Sequence, residues 1–309
     1  MSGGTSSKSG GGRGDLLEHY RVEKELADIL RNAPREERGR LYPALYDELY
    51  RRLPGHSQLR RKSSPERAGA AARSRLKLLR RYIGGESTFV ETGAGSCALS
   101  LLVSGFAKRV YSIDVSREIA GDVAIPGNMR LLISDGLEIP VPEGSADAVF
   151  SDQLAEHLHP DDLAEHLKNV YRCLKPGGTY ICLTPNRLNG PHDISKYFTE
   201  IATGFHLKEY TNSELGTLFR DSGFIRIRAL VGARGYYLPV PASFPVFFER
   251  ALSALPRRAG RWIAGTLLFR ILLGIRIAGM KDRAAHETPD PERPEEGFRR
   301  QEGTGCGSG

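Results

Sequence analysis

Residues 88–100, Thr-Phe-Val-Glu-Thr-Gly-Ala-Gly-Ser-Cys-Ala-Leu-Ser, constrain this chain more than any other stretch. Thr88, Phe89 and Val90 read as the tail of a strand. Ala98, Leu99, Leu101 and Leu102 read as the head of a helix. Between them lies a turn with Gly93 and Gly95. Glycine tolerates positive φ and lets the backbone approach a ligand closely. The helix N-terminus behind the turn offers free N–H groups and a partial positive charge. A strand–glycine turn–helix unit of this kind binds nucleotides, and its strand needs a sheet around it.

Two ligands compete for that turn. Gly93-x-Gly95-x-x-Ala98 fits the dinucleotide fingerprint, which cradles a pyrophosphate. In the other reading, an S-adenosylmethionine loop, an acid stands two residues before the first glycine, and Glu91 occupies that place. A carboxylate there suits a cationic amino-acid tail and repels a pyrophosphate, which favours the sulfonium cofactor over a nicotinamide dinucleotide.

The downstream chain supplies the sheet. Arg109–Ile113 reads as a second strand ending at Asp114, 21 residues beyond Gly93. That is the offset at which a ribose-binding carboxylate is expected, although an Asp at a strand end also caps helices. Met129–Ile133 reads as a third strand running into Ser134-Asp135-Gly136, where Asp135 is placed to accept from an adenine amino group or simply to make a turn before glycine. Asp147–Ser151 is the fourth, followed by Asp152-Gln153. Asp161-Asp162 reads as the cap of a helix through Leu163, Leu167, Val170 and Leu174. Lys175-Pro-Gly-Gly178 closes it, and Thr179–Leu183 is a buried fifth strand. Strands alternating with helices imply an α/β, doubly wound, mostly parallel Rossmann-like sheet. Ligands of such sheets lie at the carboxyl ends of the strands, and Glu91, Asp114, Asp135 and Gln153 all fall there.

The segments from Phe89 to Phe224 resemble a class I S-adenosylmethionine-dependent methyltransferase of the broad bacterial small-molecule type. The resemblance rests on the loop Glu91–Cys97, Asp114, Ser134-Asp135-Gly136, Glu156-His157-Leu158 and Leu174-Lys-Pro-Gly-Gly178. It implies that Glu91 faces the methionine amino group and that Gly93 and Gly95 admit the methionine portion. Asp114 would take the ribose hydroxyls, Asp135 and Gly136 the adenine, and Gln153 would line the methyl-transfer cleft. Cys97 stands where the family often has a third glycine, so a tighter fit beside the loop is expected.

Methyl transfer to an alcohol benefits from a general base. Candidates follow the fifth strand, in Thr184–Ser195, and recur in Gly204–Tyr210; both runs put His beside a carboxylate. His192, oriented by Asp193, is the expected catalytic pair, and His206 is expected to anchor its loop. His157, His159, His166, Asp152 and Glu156 are close in sequence, but the family pattern accounts for Glu156-His157, so no metal is expected.

Around this domain, 67–240, the remaining chain divides by composition. Residues 1–14 are Gly/Ser-rich without an apolar run and read as a disordered tail rather than a signal peptide. Residues 15–66 form a helical lead-in broken at Pro34 and Gly39, which either covers the cofactor cleft or only packs. Residues 241–280 read as apolar helices, with Trp262–Met280 as one of them, and 281–309 as a second disordered tail. Trp262–Met280 includes only Arg270 and Arg276 as charges and follows Arg257, Arg258 and Arg261. That composition suits a packing or dimer helix, or a peripheral membrane contact, better than a span. The net charge of +7 comes without aromatic-interleaved basic motifs, so no nucleic-acid partner is expected. The cysteines, four in all and without paired spacing, fit a reducing, cytoplasmic compartment. The expected activity is methyl transfer from S-adenosylmethionine to a small-molecule or sugar acceptor, at oxygen. An NAD(P)-dependent oxidoreductase and a non-catalytic binding protein with the same fold are the alternatives.

Overall fold

The computed structural model describes residues 13–56, 65–116 and 124–284. The two expected tails lie outside the described residues, apart from 13–14, which open the first helix, and 281–284. Helix α1 (Arg13–Asn32) and helix α2 (Arg35–Arg52) form the lead-in. Pro34 breaks them, because it has no N–H to give and its φ suits the residue just outside a helix. Gly39 is no break: it lies inside α2, where a Cβ would come within 3.1 Å of Asp135 Oδ2. Helix α3 (Pro65–Leu79) follows.

The sheet then begins with β1 (Thr88–Thr92), helix α4 (Ala98–Ser104), β2 (Arg109–Asp114), β3 (Met129–Ile133) and β4 (Ala146–Asp152). Helix α5 (Pro160–Cys173) leads into β5 (Leu174–Thr184). His159, not Asp161 or Asp162, is its N-cap, with Pro160 opening the first turn. The pairing of β4 with β5 jumps from Ala146↔Leu174 to Ala148↔Thr179, so Lys175–Gly178 bulges out of the ladder. Helix α6 (Asn212–Asp221) starts on a capping box between Thr211 and Glu214. Strands β6 (Ile225–Ala233) and β7 (Tyr236–Pro241) make a hairpin.

Beyond β7 the expectation of long apolar helices fails. Helix α7 (Ser243–Ser253) is followed by α8 (Arg257–Ala264), α9 (Leu267–Leu273) and strand β8 (Ile275–Met280). Gly265 and Gly274 end the two helices of the supposed single helix. In Ile275-Arg-Ile277 the β-branched alternation of a strand then takes over. The domain therefore does not stop at residue 240. The sheet order is β3-β2-β1-β4-β5-β8-β6-β7, with β1 to β5 parallel and β8 antiparallel to both β5 and β6.

Apolar side chains cover both faces. Leu26, Leu30, Tyr42, Leu163, Leu167 and Phe219 belong to one core cluster, which brings α1, α2, α5 and α6 together. Leu78, Leu79, Leu99 and Val103 belong to the other, with α3 and α4. Helix α2 is fixed in place by a buried polar knot. Arg38 donates twice to Asp162, at 2.7 and 2.6 Å, and Tyr42 Oη donates to the same carboxylate at 2.7 Å. Tyr42 Oη also accepts the backbone N–H of His159 at 2.8 Å.

Candidate active site

A cavity of about 230 Å³ opens at the carboxyl ends of β1, β2 and β4. Its walls include Thr92, Gly93, Gly95 and Ser96 from the glycine turn, Asp114 from β2, Ser134 and Gly136 after β3, and Asp152, Gln153 and His157 after β4. Tyr42, Tyr46 and Tyr50 of α2 close it from above. The lead-in thus covers the cleft. Their spacing of four residues is the sequence signal for this, hidden beside the Leu41/Leu45/Leu49 stripe.

Gly93, Gly95 and Gly136 have φ of +70°, +52° and +88°, where a side chain would be strained. Cys97 adopts the same left-handed region, φ 57°, at the helix start. Its thiol is fully buried and accepts from Ser112 Oγ at 3.3 Å, which holds an unfavourable backbone in place. Asp114 braces the turn: its Oδ2 accepts from Gly95 N at 2.7 Å, and its Oδ1 accepts from Val115 N and Ser116 N. Burial pushes its pKa upward against those bonds.

Of the expected cofactor residues, Gly93, Gly95, Asp114, Gly136 and Gln153 line the cavity. Glu91 and Asp135 are not on its wall. Glu91 Oε2 accepts from both Ser100 N, at 3.0 Å, and Ser100 Oγ, at 2.5 Å, on α4. Its full burial pushes its pKa up to about 8. Asp135 Oδ1 accepts from Leu137 N and Glu138 N, the ordinary work of an Asp before glycine, while Oδ2 faces Gly39.

The expected catalytic pair is not a pair. Asp193 Oδ1 accepts from Ser195 N and Oδ2 from Gly204 N, so it ties one loop to another. The partner of His192 is Glu209, which accepts from His192 N at 2.7 Å and lies 3.3 Å from Nδ1. Adjacent sequence positions suggested Asp193; the carboxylate seventeen residues further on is the one that folds against the ring. Neither His192 nor Asp193 lines the cavity.

Three other groups gather beside it. Ligand-type atoms of Glu156, His157 and His206 lie within 4.8 Å of one another. His157 Nδ1 is 2.9 Å from Phe205 O and so carries the proton, leaving Nε2 as an acceptor. His206 Nδ1 is 2.8 Å from Glu209 Oε1. Glu156 Oε2 accepts from Thr184 Oγ1, whereas its buried Oε1 has no partner. Burial, then the neighbouring His206, depresses His157 to about 3. Burial also opposes charge on His206, but the Glu209 and Glu156 carboxylates hold its pKa above the ordinary imidazole range. Glu209 is buried too, yet bonds from His192 and His206 bring it down to about 2. His206 is thus held by Glu209, and His157, absorbed into a family pattern in the sequence, lies on the cavity wall.

His166 of α5 also lines the cavity, near Gly136. It is 2 % exposed, and neither ring nitrogen has a hydrogen-bond partner. Burial lowers its pKa to about 4, against the Gly136 backbone beside it, so it stays neutral, with one ring nitrogen a donor and the other an acceptor. An adenosyl group would engage both kinds of site. The glycine turn, the Asp114 carboxylate, the tyrosines and this unsatisfied imidazole fit S-adenosylmethionine.

Comparison with known proteins agrees. Residues 90–182 match the family model described as "Methyltransferase domain". The chain is similar to a "Probable S-adenosylmethionine-dependent methyltransferase" of Mycolicibacterium smegmatis, 31% identical over 137 residues, 44% of this chain and 51% of that one. A protein of the same description in Mycobacterium tuberculosis is 27% identical over 139 residues, 45% and 48% of the two chains. The chain thus spans about half the length of these curated relatives. Among solved structures, a SAM-dependent methyltransferase of Thermotoga maritima aligns with a TM-score of 0.47 and 15% identity, covering 85% of this chain and 100% of that one. On the family match, residues 90–182 form a methyltransferase domain, similar over that region to the S-adenosylmethionine-dependent relatives.

Proposed function

We propose that the protein methylates an oxygen of a small-molecule or sugar acceptor. When bound, S-adenosylmethionine supplies a methyl group on a sulfonium that needs no protein acid to leave. Asp114 would hold the ribose hydroxyls, Gly93 and Gly95 would admit the methionine portion, and Gly136 and His166 would meet the adenine. Glu91 would act on the methionine ammonium through the α4 terminus or a water. Gln153, with φ of +60°, would present its amide to the acceptor side.

The observation that carries an oxygen target is the Glu156–His157–His206 group, of which His157 lines the cavity. No hydrogen bond joins these three side chains, and the unpartnered Glu156 oxygen calls for a donor. An acceptor hydroxyl or a water meets that need. His157 would orient the hydroxyl through Nε2, and Glu156, whose pKa burial pushes up to about 7, would take up its proton. A phenol or amine acceptor would need this less. Glu156→Gln should lower kcat by about 10²–10⁴-fold with an alcohol acceptor, with cofactor affinity retained, while His192→Ala should change little. A labelled-methyl screen of alcohols and sugars supplies the acceptor; unchanged kcat in Glu156→Gln rejects the assignment. A second reading rests on the same atoms, because two histidines and one carboxylate also suit a divalent metal. Activity that survives exhaustive chelation removes that reading.

A further inference from the structure

The three-helix segment between β7 and β8 is the part of the protein that the cofactor site leaves unexplained. Leu252, Ala264 and Leu273 pack together at its centre, with Phe248, Ile263 and Phe269 against them. What remains outward is also apolar. Trp262 is 75% exposed, Leu267 76%, Phe247 68% and Leu268 62%. Large side chains of this kind gathered on one small segment mark an interaction surface.

The charges say what kind. Arg250, Arg257, Arg258, Arg261 and Arg270 are all exposed. From residue 222 to 281 the chain has a single carboxylate, Glu249. It is buried, and its oxygens accept from Asn186 Nδ2, from Asn212 N and Nδ2, and from Ser213 N. It therefore adds nothing to the outer field, and the exposed face of the segment is cationic and aromatic-aliphatic together.

From this we infer that residues 243–273 dock the protein on a membrane surface carrying anionic lipid. Arginines pair with lipid phosphates, tryptophan settles at headgroup level, and the leucines enter the acyl boundary. No described helix is long and apolar enough to cross a membrane, so the segment lies on the surface. A second copy of the chain is the less suitable occupant. A two-fold contact puts a patch against itself, which would set arginines against arginines with no carboxylate of the segment to answer them. The place in the fold also matters. Helix α8 packs on the turn Arg187–Asn189 just beyond the carboxyl end of β5, the same rim on which the cavity opens. Arg261 also reaches Glu200, whose backbone oxygen is 3.1 Å and carboxylate 3.6 Å away, next to exposed Ile201, which leaves Arg250, Arg257, Arg258 and Arg270 to face the lipid. The docking does not depend on which acceptor is methylated.

Trp262 is the chain's only tryptophan, so its fluorescence reads this surface alone. The full chain is mixed with vesicles of phosphatidylcholine, alone or with phosphatidylglycerol. The expected result is a blue shift, quenching by brominated lipid, and flotation, all requiring phosphatidylglycerol and all weakened by salt. Arg257→Gln/Arg258→Gln should weaken binding roughly fivefold per arginine. Leu267→Glu/Leu268→Glu should abolish it while the thermal shift with S-adenosylhomocysteine persists. The wild-type quenching experiment needs no variant and guards against misfolding. No blue shift on anionic vesicles overturns the proposal. So does flotation indifferent to the leucine changes, or a lipid-free dimer in light scattering that already shields Trp262.

Discussion

Removing Arg38 should cost more than any surface change on the same helix. Its guanidinium is 4% exposed and makes both of its carboxylate bonds to Asp162, which is fully buried. In Arg38→Met the side-chain volume is largely kept, but Asp162 retains only the Tyr42 hydroxyl. Breaking a buried pair from one side costs about 3–5 kcal/mol, because the surviving charge is left without compensation. Typical domains are stable by only about 5–15 kcal/mol, so much of the margin would go, and the melting temperature should fall by about 10 °C. The neighbouring pair Arg35–Glu165 also joins α2 to α5, but its side chains are 61% and 36% exposed. Arg35→Met should therefore cost under about 1 kcal/mol. Arg38→Met/Asp162→Leu removes both charges and should recover most of the loss. Urea titrations followed by circular dichroism, with and without S-adenosylhomocysteine, measure all four proteins. Because Tyr42 shares the knot and lines the cavity, Arg38→Met should also weaken cofactor binding. A cost below about 1 kcal/mol, or a double variant no better than the single, refutes the reasoning.

Other outcomes follow from the site. Glu91 titrates near 8 when folded, above its unfolded value, so the native state holds the extra proton between about pH 4.5 and 8. Its contribution to stability is therefore present below that window and lost as pH rises through it, and Glu91→Gln should flatten the fall in a pH series of melting curves. If the cofactor's ammonium draws Glu91 into its ionised form, binding at pH 7 should release a proton, visible in calorimetry across buffers of different ionisation heat. His166→Leu should leave the free protein as stable or up to about 1 kcal/mol more so, since it removes unsatisfied polar atoms, yet lower affinity for S-adenosylhomocysteine; unchanged affinity would detach His166 from the adenine. Cys97→Asp should destabilise strongly, because a charge would replace a thiol with no exposure, and a near-wild-type melting point would contradict that burial.

The parallel half of the sheet was legible because each strand announces itself twice, by its apolar run and by the glycine or acid at its end. The glycine turn and Asp114 were legible for the same reason. What was missed depended on distance in the chain. His192 and Asp193 are neighbours in sequence, but the backbone turns so that their side chains serve different loops. Glu209 meets His192 and His206 only after the chain has folded back. Asp135, read in the sequence as an adenine partner or a turn residue, is bonded to Leu137 N and Glu138 N and stands off the cavity wall. Ile275–Met280 was hidden by its surroundings. Joined to the apolar α9, it looked like more of one helix, although Gly274 and the alternating isoleucines marked the change.

The placement of β8 governs the order in which the molecule can be completed. It lies between β5 and β6, yet both of those strands leave the ribosome well before it. Until it arrives, β5 has one open side, and the β6–β7 hairpin has no seat in the main sheet. Nascent protein must therefore wait with two unsatisfied edges, a state in which chaperones or another growing chain can bind. A tag or fusion that slows the entry of 275–280 would prolong that wait, and aggregation during expression would then report on the timing of one strand, with the finished protein no less stable than before.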